Sequence, residues 1–227
     1  MHIEPGLLTG AKMAVAYATG TAALTATLIA AARTLRRERR THWPYLGLRA
    51  LIAFVIVLTA FEWLPHPSVG VSEVHLILGS TLFLLFGFTP AAIGLAAALF
   101  CQGVWFAPDD LPQYFANVTT ILAPLFAVAT VARRTIHPAT PYVDLRYRDV
   151  FRLSLTYQGG VVAWVAFWAL LGLGSEAVVS IATFAAGYLV VLLIEPALDL
   201  ALLALAKSAH RTIGATPILA SHLFARA

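Results

Sequence analysis

The stretch AKMAVAYATGTAALTATLIAAARTLRRERR, residues 11–40, runs from apolar and small residues straight into Arg33, Arg36, Arg37, Arg39 and Arg40. A helix of roughly 20 apolar residues is long enough to cross the hydrocarbon of a bilayer. Arginines gathered just beyond one end mark the cytoplasmic side. Residues Lys12 to Ala32 are therefore expected to form a first membrane span that ends inside, leaving Met1 outside. The rest of the 227-residue chain agrees: 60% of its residues are hydrophobic, 11% are charged and the mean hydropathy is +0.83, whereas soluble domains are roughly one-quarter charged. The expected fold is an all-α integral membrane protein of about seven transmembrane helices, with no room for a separate soluble domain. The net charge of +4 then speaks of orientation in the membrane and of anionic lipid, not of nucleic acid.

The later spans follow in order. A second returns from Arg49 to about Leu64, with Phe61, Trp63 and Pro65 at the interface. The apolar run Val74 to Phe88 is short for a full crossing. Gly87-Phe88-Thr89-Pro90 reads as a reversal into a helix from Pro90 to about Trp105. Further spans are expected over Asn117 to Ala132, Leu153 to Leu173 and Val178 to Leu203. Arg133, Arg134, Arg146, Arg148, Arg152, Lys207 and Arg211 lie at their inner ends. An amino terminus outside and a carboxyl terminus in the cytoplasm satisfy all these charged loops. We expect one transmembrane domain over 1–227, with an amino-terminal tip (1–11), outer loops (65–74 and 107–117) and cytoplasmic loops (33–48 and 133–152). The tip lacks the basic region and cleavage site of a signal peptide and is read as mature sequence. The single Cys101 excludes an internal disulfide.

Several finer placements follow. Ala14, Ala18, Ala22, Ala26 and Ala30 recur every four residues, giving a small-residue face that either docks a partner subunit or packs inside the bundle. Ser72 is expected to cap a helix whose first turn holds Glu73. Gly79, Ser80, Gly94 and Ala96 to Ala98 should let that helix pack closely on the next. Glu195 and Asp199 lie deep in an apolar span and need partners. Arg133, Arg134 or Lys207 are expected to supply them, with a proton relay as the alternative.

The chemistry lies at the start of the chain. Met1-His2 offers the α-amine, the His2 amide nitrogen and the His2 imidazole, three donors that close two chelate rings in one plane. A fourth nitrogen completes a square plane, which suits Ni(II) or Cu(II) better than tetrahedral zinc. His75 is the candidate for that donor; the alternative is a frayed His2 and an interfacial His75. His66, in the proline-stiffened outer loop, is either an accessory ligand or a solvated imidazole. Glu62 is either a carboxylate that orients a histidine of the site or an interfacial charge.

Met-His-Ile at the start, Val-His-Leu at 74–76, Phe-Gly-Phe-Thr-Pro-Ala-Ala-Ile-Gly-Leu at 86–95, Gln102 and Ala116-Asn117 together resemble the CbiM/NikM family. These are the substrate-binding membrane components of energy-coupling-factor cobalt and nickel transporters. The resemblance implies that Met1, His2 and His75 hold the metal, with Ni(II) or Co(II) as transported substrate. It further implies that Asn117 and Gln102 occupy supporting positions and that the chain resides in the cell (inner) membrane. Its implied partners are a membrane-embedded coupling subunit, ATP-binding subunits and a small accessory membrane subunit. Pro108-Asp109-Asp110 and Phe115-Ala116-Asn117 depart from the glycine-rich outer loop of typical members. No phosphate-binding loop, His-Glu-x-x-His or Gly-x-Ser-x-Gly is present in the sequence, so a transporter subunit and not an enzyme is expected. A haem- or quinone-binding redox component and a purely structural subunit are the alternatives. The former needs facing histidines at membrane depth, and His42, His137, His210 and His222 lie in polar segments.

Overall fold

The computed structural model describes residues 6–37, 40–137 and 140–213. It is all-α apart from one small hairpin. Seven helices follow in chain order: α1 (Ala11–Arg37), α2 (Trp43–Trp63), α3 (Gly79–Phe86), α4 (Phe88–Trp105), α5 (Tyr114–Thr135), α6 (Tyr147–Leu173) and α7 (Ala177–Ile213). Strands β1 (Ser68–Val69) and β2 (Ser72–Glu73) pair antiparallel between α2 and α3. Six helices have 18 residues or more, while α3 has eight. At 1.5 Å per residue α3 is about 12 Å long, well short of the ~30 Å of hydrocarbon. The protein is thus an all-α membrane protein of six long helices, and the third apolar segment is built differently.

That segment lies along α7. Gly70 (φ +64°) turns the hairpin so closely onto α7 that an added Cβ would fall 2.1 Å from the Ser180 carbonyl oxygen. Only glycine combines that backbone with that approach. Further along, Val69 packs on Gly187, the Ile77 and Leu78 N–H groups reach Glu195, and the Ser80 and Thr81 hydroxyls reach Asp199. Ser180 to Asp199 spans about 28 Å of helix. Between hairpin and α3, residues 74–78 have no regular secondary structure, and Leu78 caps α3 in the left-handed conformation (φ 61°, ψ 23°). The helix therefore starts at Gly79 and not at Ser72. The hairpin captures Ser72 and Glu73 in a ladder that competes with helix formation.

Close approaches position the other elements. An added Cβ on Gly79 would lie 2.0 Å from the Tyr157 ring of α6, and one on Gly94 would lie 2.6 Å from Ala53 Cβ of α2. These glycines bring α3 onto α6 and α4 onto α2, while α3 and α4 also pack on each other as expected. In the absence of a hydrophobic drive between helices in lipid, such van der Waals contact is a main source of association. Helix α1 lies at the periphery. Ala14, Ala18 and Ala22 are exposed, while Ala16, Gly20 and Thr27 are buried. The first three alanines of the stripe thus face outward, while Ala26 and Ala30 are half-buried. Lys12 Nζ donates to the Gly172 carbonyl (2.7 Å), and Thr34 Oγ1 lies 3.1 Å from Thr89 Oγ1.

Candidate metal centre

At the end of the bundle that holds the start of α1, the hairpin brings three ligand-type side chains together. His66 precedes β1, Glu73 ends β2 and His75 follows two residues later. Successive side chains alternate sides along an extended chain, so Glu73 and His75 share a face. Glu73 Oε2 lies 2.8 Å from His75 Nε2 and 3.9 Å from His66 Nδ1. The two imidazoles stack at 4.8 Å between centroids and 5° between planes, and Phe61 meets His75 edge-on at 5.1 Å. One ligand atom from each of the three residues lies within 4.8 Å of the others. Side-chain exposure falls from 42% at His66 through 24% at Glu73 to 1% at His75, so the cluster leads from water into the protein.

The contact also fixes a tautomer. An ionised carboxylate only accepts hydrogen bonds, so His75 Nε2 is the donor to Glu73 and the lone pair belongs to Nδ1. This is the arrangement in which carboxylates orient metal-binding histidines. Glu73 was not legible as part of the site, because the expected helix would have turned it away from His75. The Ser-Glu-Val-His alternation, read as a strand, is the signal that points to it.

The expected site residues are distributed as follows. Met1 and His2 lie outside the described residues. Leu7 and Leu8, just beyond them, are buried, and an added Cβ on Gly172 at the end of α6 would lie 2.7 Å from the Leu7 carbonyl oxygen. The described part of the tip therefore folds into the end of the bundle that carries the hairpin. His75 and His66 are in the cluster. Asn117 is buried in the first turns of α5 and Gln102 is buried on α4. Glu62 is half-buried near the end of α2. The 108–113 turn contributes Asp110, whose carboxyl is pushed up to about 6 by burial first and then by the Glu73 charge, with Asp109 adding to it. The loop that departs from the family pattern thus sets its own carboxylate in the field of the cluster.

Residues 2–213 match the family model CbiM, described as a cobalt uptake substrate-specific transmembrane region. The chain belongs to the CbiM family. It is therefore a multi-pass membrane protein and a non-catalytic, substrate-binding component of a transporter. Two crystal structures share the fold of this CbiM protein. One, of a transition metal transporter, has a TM-score of 0.62 at 20% identity over 96% of each chain. The other, of a truncated transition metal transporter, has a TM-score of 0.57 at 18% identity, covering 92% of this chain and 97% of that one. No curated protein matches it.

Proposed function

We propose that this CbiM protein captures Ni(II) or Co(II) at the outer membrane face and passes it inward when separate coupling and ATP-binding subunits drive it. In this reading the Met1 amine, the His2 amide and imidazole nitrogens and His75 Nδ1 form a nitrogen-rich square plane. Glu73 holds the His75 tautomer, and Asn117, Gln102 and His66 line or brace the loops. The arginine-rich ends of α1, α5 and α6 then face the cytoplasm. The outward alanine face of α1 is the surface offered to a membrane-embedded partner. The observation that carries the reading is the buried His75 imidazole, held through Nε2 by a carboxylate two residues away.

The test is metal binding by untagged protein before and after one residue is added ahead of Met1. Affinity should fall at least about 100-fold, more than is typical of losing an outer-shell partner. Unchanged affinity and stoichiometry would rule out the amine. The mutual reach of His66, Glu73 and His75 favours a second reading, in which those three side chains ligate the ion directly. In that case the added residue has little effect, and His66→Ala and Glu73→Ala each abolish binding.

A further inference from the structure

His75 stands on backbone that no helix or ladder supports, since residues 74–78 are irregular and Leu78 is left-handed. Inside an apolar bundle such backbone persists only where other groups accept its N–H bonds. Here one side chain does so. Glu195 Oε1, wholly buried on α7, accepts the Ile77 N–H at 2.6 Å and the Leu78 N–H at 2.9 Å. Its Oε2 accepts from Gln158 Nε2 on α6, and Gln158 Oε1 accepts the Tyr188 hydroxyl at 2.6 Å. Donors and acceptors are matched around the circuit, with the carboxylate taking only acceptor roles. Among the described residues no ion pair joins Glu195 or Asp199 to Arg133, Arg134 or Lys207, and Lys207 Nζ instead lies 5.5 Å over the Tyr147 ring. The expected cationic partners are replaced by backbone and hydroxyl donors, because the break before α3 presents N–H groups at that depth.

We propose that Glu195 is the positioning residue of the ion site: by holding the Ile77–Leu78 turn it sets where His75 stands and ties ion binding to the packing of α6 on α7. This rests on the ion-capture reading and deepens it. His75 is clamped from two sides. Upstream, Glu73 pairs with Ser68 in the ladder and the Val74 N–H donates to the Pro67 carbonyl at 3.0 Å. Downstream, the next fixed point is Glu195. Two residues of extended chain span about 7 Å, so slack at Ile77 is felt at the imidazole on the scale of a ~2 Å metal–nitrogen bond.

The test uses the untagged full-length protein in detergent, titrated with Ni(II) and with Co(II). Glu195→Gln keeps the shape and still accepts the two backbone bonds, but it turns an amide donor toward the Gln158 amide donor. Binding should weaken about 10- to 100-fold, the range for groups that orient a ligand. The absorption spectrum of bound Ni(II) at saturation should shift as the imidazole moves. The exchange Glu195→Gln with Gln158→Glu restores every donor–acceptor match, since the introduced carboxylate accepts from both the introduced amide and Tyr188. It should return affinity to within about threefold and recover the original spectrum. A purely structural role predicts lower thermal stability with spectrum and affinity unchanged in whatever protein remains folded, and that result would overturn the proposal. So would an exchange variant that is folded but binds no better than Glu195→Gln. An unmodified protein that binds neither ion overturns the ion-capture reading itself, whereas binding by the unmodified protein with no loss in Glu195→Gln overturns only the role of Glu195.

Discussion

The segment from Pro65 to Phe86 meets two polar clusters built on opposite plans. The His66–Glu73–His75 cluster opens toward water and is held by one close contact at 2.8 Å and one at 3.9 Å. The cluster around Glu195 and Asp199 is sealed. Its two carboxylates accept from Ile77, Leu78, Gln158, Ser80 and Thr81. A carboxylate saturated with donors fixes a structure, whereas a carboxylate that orients one imidazole nitrogen prepares the ring for a ligand on the other. The same segment of chain thus carries recognition at one end and anchorage at the other.

The largest expected effect separates the two plans. Asp199→Ala leaves the Ser80 and Thr81 hydroxyls without their acceptor (2.7 and 2.5 Å) and removes the negative charge at the start of α3. At about 1–3 kcal/mol for each of the two buried orphans, the loss of stability should be about 2–6 kcal/mol. It should appear as a lower thermal midpoint in detergent, with metal affinity of the folded protein within about threefold. Glu73→Ala should do the reverse: an affinity loss of about 10- to 100-fold by calorimetric titration with the thermal midpoint nearly unchanged. If the two variants exchanged these signatures, the division of labour would be wrong. The smallest effect is at Asp110. Its carboxyl is raised from 3.8 to about 6, so the folded protein binds that proton more readily than the unfolded chain. The stability linked to this proton is fully present below pH 3.8 and is lost as pH rises through about 6. Asp110→Asn should abolish this loss, raising the thermal midpoint of metal-free protein by a few degrees at most at pH 7 and scarcely at pH 4.

The long helices were legible because a membrane makes the code nearly one-dimensional. Apolar length set α1, α2 and α4 to α7 to within a few residues at most ends, and arginine clusters marked their limits. The third segment was not legible. The Ser-Glu-Val-His alternation there is only four residues long, too short to outweigh the capping signal of Ser72, and the turn at Gly70 against Ser180 that binds Ser72 into a hairpin is a contact distant in sequence. The partners that residues 77–81 supply to Glu195 and Asp199 lie 117 to 119 residues away in sequence, and nothing local distinguishes a carboxylate awaiting an arginine from one awaiting a broken helix. His75 and His66 could be singled out by residue type and position, whereas Glu73 required knowing that the chain is extended there. For the alanine stripe, spacing fixed which residues share a face but not which way that face looks. Burial of Ala16 and Gly20 turns its first three members outward, whereas Ala26 and Ala30 are half-buried.

Polar ties at both ends of α1, Lys12 to Gly172 at one and Thr34 to Thr89 with Trp43 to Leu35 at the other, act as rivets that stop the helix from rolling about its long axis. Ala14, Ala18 and Ala22 therefore always look outward. Alanine has no rotamers to lose when it is covered, so whatever settles on that side, lipid or protein, meets a smooth rail that needs no rearrangement to receive it.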